Sequence, residues 1–280
     1  MSIVITGIGG YLGRALINEY NDSHEKLILT YRKNKLNNLN NNFIWKKIDL
    51  YSNNFKVYEY LLKPETLIHL AWDGLNLRDY NSKIHIKQID YHLNFIESLI
   101  KNGVRNIVVA GTCMEYGDYE GELNENMITN PETKYGLAKN TLREKLFLLK
   151  RKYNFNLTWL RLFYFYGGEK NNKDLWGNLY SAIDKKNISF KISKGTQLRD
   201  YLHIKDVVKY ISVISSLKKD LGVLNICSNI PISIKDLVKK WINDYNWKIK
   251  IETNVVPISD HEKKNFWGSN KKLNSILEDL

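Results

Sequence analysis

TGIGGYLG, residues Thr6 to Gly13, decides how the rest of the chain is read. It places Gly7, Gly10 and Gly13 directly after the apolar run SIVIT (2–6) and at the opening of YLGRALINEY (11–20), which has helical periodicity. Gly7 permits a tight turn, Gly10 lets a pyrophosphate approach the backbone, and Gly13 lets helix and strand pack closely. The helix start, with Tyr11 and Leu12 in its first turn, offers N–H groups and a positive dipole end to phosphates. Glycines alone would equally suit a structural turn. With a strand before them and a helix after, they predict dinucleotide binding.

Outward from this turn, apolar runs alternate with amphipathic stretches. KLILTYR (26–32), TLIHLAW (66–72), NIVVAGT (106–112) and NLTWLRLFYFYG (156–167) read as strands. IKQIDYHLNFIESLIKNG (86–103), ending on Gly103 as a C-cap, and YGLAKNTLREKLFLLKRKY (135–153) read as helices. The asparagine-rich stretch 34–42 reads as a surface loop. This alternation predicts βαβ units and an α/β fold with a doubly wound parallel sheet. Beyond Gly167 the pattern loosens: DLWGNLYSAIDKK and HIKDVVKYISVISSL read as helices, SFKIS and GVLNICS as strands, and residues from 233 as two helices around an irregular piece. The expected division is a Rossmann-type domain of residues 1–166 plus about 201–228, with a smaller substrate domain of about 167–200 plus 229–280.

Composition narrows the function classes. The chain has 280 residues, 43% hydrophobic and 12% aromatic, enough for a large buried core. It has no apolar run long enough to span a bilayer, and its first residues carry no basic leader, so a cytoplasmic protein without membrane association is expected. Two distant cysteines, Cys113 and Cys227, suggest neither a disulfide framework nor a metal site. The net charge of +12 comes from 42 basic and 30 acidic residues that are scattered, with no nucleic-acid motif. No nucleic-acid partner is expected.

The spacing G-x-x-G-x-x-G in 7–13 resembles that of the extended short-chain dehydrogenase/reductase family, which works on nucleotide sugars. An acidic residue at the end of the second strand would bind the adenosine ribose; LILTYRKNK (27–35) instead offers Arg32 and Lys33, which favours NADP(H) over NAD(H). The resemblance implies further cofactor contacts. Asp49 and Leu50, in KKIDL, match the adenine-contacting position, and Leu70 and Ala71, in HLAW, match the strand end near the nicotinamide ribose.

YGLAK (135–139) matches the family's Y-x-x-x-K. Positions four apart share a helix face, so Tyr135 and Lys139 can address one cofactor. The ammonium is expected to favour the phenolate and lower the phenol's pKa. GTCMEYG (111–117) resembles the family's strand-end motif and implies Thr112 as the hydroxyl that orients the reacting oxygen. In relatives, acids in this turn serve dehydration or epimerisation. Here Cys113 and Met114 occupy those places, and Glu115, displaced by one residue, is expected to face away. Cys113 is read as packed.

QLRDYLHIKDVV (197–208) resembles the family's diphosphate-contacting segment and implies Arg199 against the substrate's diphosphate. Tyr164 replaces an asparagine that serves there in relatives, and Asn178 is the stand-in. The resemblance implies a ketoreductase of nucleotide-linked 4-keto-6-deoxy sugars, with Thr112, Cys113 and Met114 near the sugar, and a homodimer built through the Tyr135 helix. An NAD-dependent 4-epimerase and a non-enzymatic NADP sensor are the alternatives.

Overall fold

The computed structural model describes residues 2–20, 25–36, 43–51, 56–75, 79–168, 174–257 and 265–280; the asparagine-rich stretch lies outside them from residue 37 to 42. The chain divides into two units. Unit 1 is Met1–Gly117, Ile128–Leu162 and Lys205–Leu224; unit 2 is Asp118–Met127, Phe163–Ile204 and Asn225–Leu280. Residues 118–127, read from sequence with the first domain, group with unit 2.

Unit 1 opens with strand β1 (Ser2–Thr6), helix α1 (Tyr11–Glu19), β2 (Lys26–Tyr31), β3 (Ile44–Lys47), α2 (Val57–Tyr60) and β4 (Thr66–His69). Helices α3 (Ile84–Lys87) and α4 (Ile89–Asn102) follow, then β5 (Asn106–Ala110). After β6 (Gly121–Leu123), which belongs to unit 2, come α5 (Lys134–Leu149) and β7 (Asn156–Leu162). Unit 2 continues with β8 (Tyr164–Tyr166), α6 (Leu175–Asp184), β9 (Ser189–Lys191) and β10 (Leu198–His203). Helix α7 (Ile204–Leu217) and β11 (Gly222–Ile226) return to the large sheet; β12 (Pro231–Ser233), α8 (Ile234–Asp244), β13 (Lys250–Glu252), β14 (Phe266–Gly268) and α9 (Lys271–Glu278) end the chain.

The large sheet has the order β11-β7-β5-β4-β1-β2-β3, and the pairings from β7 across to β3 are parallel. β4 and β5 are buried at every residue, which is why they are read in sequence as continuous apolar runs and not as alternating ones. The order turns back on either side of β1, so the crevice at the carboxyl ends of β1 and β4 is a topological switch point. The fold is the expected Rossmann-type α/β sheet. The unit 1 core packs Val4, Ile28, Leu67 and Ile107 of the strands against Ile96, Leu99 and Leu142 of α4 and α5. A separate core in unit 2 centres on Trp176 and Trp241, whose rings meet edge to face at 5.1 Å.

Two readings from sequence are corrected. The segment 86–103 is not one helix: Gln88 separates α3 from α4, and Gly103, at φ 135°, closes α4 as expected. The run 156–167 is not one strand. It breaks at Phe163, whose N–H donates to Ile226 O at 3.1 Å, and β8 beyond the break pairs in parallel with β10 in a three-stranded sheet of unit 2. An uninterrupted aromatic and aliphatic run carries no mark of such a change of partner. Among the described residues, no helix is long and apolar enough to cross a membrane.

The β1–α1 junction leaves no room for a side chain at Gly13. An added methyl would lie 2.3 Å from Gly7 O and 2.6 Å from Ile8 Cα, both backbone atoms. Gly13→Ala is expected to cost about 1–3 kcal/mol of stability, measured by urea denaturation followed by circular dichroism.

Candidate active site

Gly7 adopts φ 78°, and a Cβ there would stand 2.5 Å from Ala71 N and 2.6 Å from Leu70 C. The glycine thus lets the turn after β1 lie against the backbone beyond β4, and brings Gly7, Leu70 and Ala71 together. Gly10 N donates to Gly7 O at 3.0 Å and Gly10 caps α1 with no side-chain hydrogen bond. The helix start, with Tyr11 and Leu12 partly exposed, therefore keeps backbone donors for an anion. This cradle fits a dinucleotide pyrophosphate.

Thr112 follows β5 and starts a one-turn 3₁₀ helix, Cys113–Glu115, where an extended strand was expected. Its hydroxyl accepts from Met114 N at 3.2 Å, so its own proton is left to donate elsewhere. Glu115 is fully buried and bonds back to Thr112 N at 2.8 Å. The same carboxylate accepts from Trp159 Nε1 at 2.8 Å and Arg161 Nε at 3.1 Å, both on β7. It points into the core, as read from sequence, although a tight turn and not strand alternation aims it. Cys113 is buried. Met114 is partly exposed, and Gly136 lets α5 approach it: a Cβ there would lie 2.5 Å from Met114 O. The requirement at Gly136 was not apparent in the sequence, because only the packed turn creates it.

α5 begins on a Thr133 cap whose hydroxyl accepts from Gly136 N at 3.0 Å. Tyr135 and Lys139 both face inward, as the four-residue spacing requires. The Tyr135 ring packs among Tyr80, His85 and Trp72 at centroid distances of 5.7, 5.2 and 6.2 Å. Burial raises the phenol's pKa well above the usual tyrosine range; Tyr80, Glu115 and Cys113 add to this, and a hydrogen bond with Thr112 opposes it. The lowering is expected of the ammonium together with an oxidised nicotinamide; in the protein alone desolvation dominates and the phenol's pKa is raised. Lys139 is pushed down to about 7 by burial, against the pull of Glu115. Its ammonium donates to Ala110 O at 2.8 Å and sits 3.9 Å from the centre of the Trp72 ring.

A buried polar chain supports the strand end beneath these groups. Thr6 Oγ1 lies 2.9 Å from His69 Nδ1, His69 Nε2 lies 2.8 Å from His92 Nδ1, and His92 Nε2 lies 3.1 Å from Gln88 Oε1. Gln88 Oε1 also accepts from Asp73 N at 3.0 Å, while its amide donates to Asp73 O at 3.1 Å. That pairing fixes the orientation of the Gln88 amide, so His92 donates to it through Nε2, accepts from His69, and His69 accepts from Thr6. Trp72 stacks on His92 at 4.7 Å and donates to His85 Nδ1 at 3.2 Å. None of His69, His85, His92 or Gln88 was singled out from sequence; single polar residues in helices and strand ends carry no local signal.

Arg32 forms a bidentate pair with Asp73, at 2.5 and 3.3 Å, with its guanidinium 5.5 Å from the Tyr51 ring centre. Lys33 is exposed, and so is Asp49, which accepts from Tyr51 N at 3.2 Å. Leu50 packs at the edge of the unit 1 core. A cavity of about 380 Å³ opens beside Asp73, lined also by Tyr51, Ile84, Lys87, Gln88 and Tyr91.

The two residues assigned to the substrate's diphosphate lie in unit 2. Arg199, on β10, is buried with its guanidinium 4.5 Å from the Phe266 ring centre and one Nη donating to Leu198 O at 2.7 Å. Tyr164 stacks on Tyr201 at 5.3 Å. Asn178 lies exposed on α6.

The histidine pair has a measurable consequence. Burial pushes His69 down to about 3, with Lys139 adding, and pushes His92 well below its ordinary value, with His69 and Lys139 adding. Unfolded histidine takes up a proton near pH 6.5 while the folded pair stays neutral, so stability is complete above about 6.5 and drains away as pH falls towards about 3. Urea midpoints should fall across that window. In His92→Gln the fall should be shallower, so the stability gap from wild type narrows towards low pH.

A model of the NAD dependent epimerase/dehydratase family matches residues 3–227. The dTDP-6-deoxy-L-talose 4-dehydrogenase (NAD(+)) of Aggregatibacter actinomycetemcomitans is 31% identical over 273 residues, covering 96% of this chain and 100% of that protein. The dTDP-4-dehydro-6-deoxyglucose reductase of Escherichia coli is 25% identical over 256 residues, covering 85% and 79%. The solved UDP-N-acetylglucosamine 4-epimerase of Methanobrevibacter ruminantium M1 superposes with a TM-score of 0.86 at 21% identity, covering 98% of this chain and 91% of that one, which is a likeness of fold. The chain belongs to the NAD dependent epimerase/dehydratase family, whose members are nicotinamide-dependent enzymes acting on nucleotide sugars.

Proposed function

We propose that the chain is an NADPH-dependent ketoreductase that converts the C4 carbonyl of a nucleotide-linked 4-keto-6-deoxy sugar to an alcohol, in deoxysugar synthesis for surface polysaccharide. The nucleotide is dTDP by first choice, with GDP and CDP next. The observation that carries this reading is the Thr112–Tyr135–Lys139 set with, among the described residues, no carboxylate free to serve beside it. Glu115, the one carboxylate in the turn, is spent on Trp159, Arg161 and Thr112 N in the core. Elimination or epimerisation at a second carbon would need a further acid or base, so chemistry at a single carbon is what remains. The names of the two curated relatives given above also place their reactions at position 4.

The bound nicotinamide supplies hydride to the carbonyl carbon. The chain's own groups handle the oxygen. Thr112, whose hydroxyl also bonds to Tyr135, orients it, and Tyr135, kept protonated by burial, hands it a proton as the alcohol forms. Lys139, whose ammonium donates to Ala110 O, would hold the ribose hydroxyls of the bound cofactor, and its charge would stabilise the phenolate left behind. Gly7, Gly10 and Gly13 hold the pyrophosphate, with Tyr11 and Leu12 at the helix start; Asp49, Leu50, Leu70 and Ala71 line the adenosine and nicotinamide ribose positions, and Arg32 and Lys33 face the 2′-phosphate. On the substrate side, Cys113 and Met114 flank the sugar and Arg199 and Asn178 take the diphosphate. The working form is a cytoplasmic homodimer joined through α5.

A second reading keeps this chemistry and exchanges NADPH for NADH. The Arg32–Asp73 pair favours it, since the guanidinium that would hold a 2′-phosphate already has an anion; the 31% identical relative is named for NAD(+). The discriminating measurement is oxidation of NADPH and of NADH with dTDP-, GDP- and CDP-linked 4-keto-6-deoxy sugars, with NMR of the product. Tyr135→Phe should lose about 10²–10⁴-fold in turnover and keep the wild-type dissociation constant for the dinucleotide. Stoichiometric NAD released on denaturation, with no net consumption of added cofactor, would point to a 4-epimerase instead.

A further inference from the structure

β2 and β4 are not neighbours in the sheet; both flank β1. Arg32 directly follows β2 and Asp73 lies beyond the end of β4, yet their side chains meet in a bidentate pair at 2.5 and 3.3 Å. The pair therefore crosses over the end of β1, where Gly7 starts the phosphate-binding turn.

The two partners are held very differently. Asp73 is anchored by its backbone: both its N–H and its C=O are bound by Gln88, which is in turn tied through His92 and His69 to Thr6 at the foot of the turn. Its carboxylate therefore projects from a held stretch of backbone, with its side chain 36% exposed. Arg32 stands on a flexible stem, resting on the Tyr51 ring, whose hydroxyl donates to the same Gln88 Oε1 at 3.0 Å. The guanidinium can leave Asp73 for another anion within reach, and a 2′-phosphate on the adenosine ribose at the end of β2 is such an anion.

We infer that Asp73 is a specificity residue for the cofactor, its carboxylate competing with the 2′-phosphate of NADP for Arg32. The inference rests on the dinucleotide reading of the site. NADP must displace a bidentate carboxylate before Arg32 can grip it, whereas NAD, with a neutral 2′-hydroxyl, leaves the pair intact. Asp73 thus sets the ratio of the two affinities without touching the reacting atoms.

Dissociation constants of NADP⁺ and NAD⁺ for the full chain, by calorimetry, test this in wild type, Asp73→Asn, Arg32→Ala and the double variant. Asp73→Asn should tighten NADP⁺ about fivefold and shift NAD⁺ by less than about twofold, the scale expected for a partly exposed ion pair. In the Arg32→Ala background the same change should do nothing to NADP⁺. Weaker NAD⁺ binding at constant NADP⁺ affinity would overturn the inference by making Asp73 a ribose ligand, and so would an effect on NADP⁺ that survives the loss of Arg32. Wild type that binds both dinucleotides with no response to Asp73→Asn would overturn the inference alone. Wild type that binds neither would overturn the reading of the site as well.

Discussion

The site hangs on one buried carboxylate. Glu115 has no exposed surface, and an ion in that position is tolerable only if its charge is matched and its lone pairs are filled. Arg161 Nε and Trp159 Nε1 satisfy it from β7, Thr112 N closes the turn from within, and Arg143 of α5 approaches to 3.7 Å. One side chain thereby ties the end of β5, the strand beside it and the helix that carries Tyr135 and Lys139. Losing any of these contacts would leave a desolvated charge, so the geometry of Thr112 against Tyr135 inherits the rigidity of the ion pair. The same commitment removes the carboxylate from proton chemistry, which limits what the site can catalyse.

A second constraint acts at the end of β4. Gly7 and the backbone of Leu70 and Ala71 stand too close for any side chain at position 7, and the chain Thr6–His69–His92–Gln88 secures Asp73 from below. Trp72, between them, is held flat by His92 on one face and offers the other to Lys139. Between Thr6 and Gln88 the groups of that network are neutral, and the charges stand at its edges, on Lys139 and Asp73. Desolvation is the shared cause: it keeps both histidines uncharged, holds the proton on Tyr135, and brings Lys139 close to the pH at which it can give one up.

Much of this was legible from short spacings. The glycine turn, the strand and helix on either side of it, the Tyr135–Lys139 pair and the threonine at a strand end are local patterns, and local geometry carries them into the structure with little revision. The charge state of Tyr135 was not legible, because the spacing places an ammonium on the same helix face but says nothing of how much protein surrounds the phenol. Arg32 illustrates the same gap. As the residue after β2 it looked available for a phosphate, and only the meeting of β2 and β4 across β1 gave it Asp73.

The sequence by itself determined the class of fold, the place of the glycine turn after β1 and the helix face that Tyr135 and Lys139 share, since each follows from the period of a helix or strand or from the shape of a glycine. The tertiary structure alone decided where the run 156–167 changes sheets, which way Glu115 points, and what Arg32 and the two histidines bind. The bonds His69–His92, Arg32–Asp73, Trp159–Glu115 and Thr6–His69 join residues separated by 23 to 63 positions. No local pattern encodes such pairings, because the energy that selects them is the cost of burying a polar group without a partner, and that cost exists only once the core has closed.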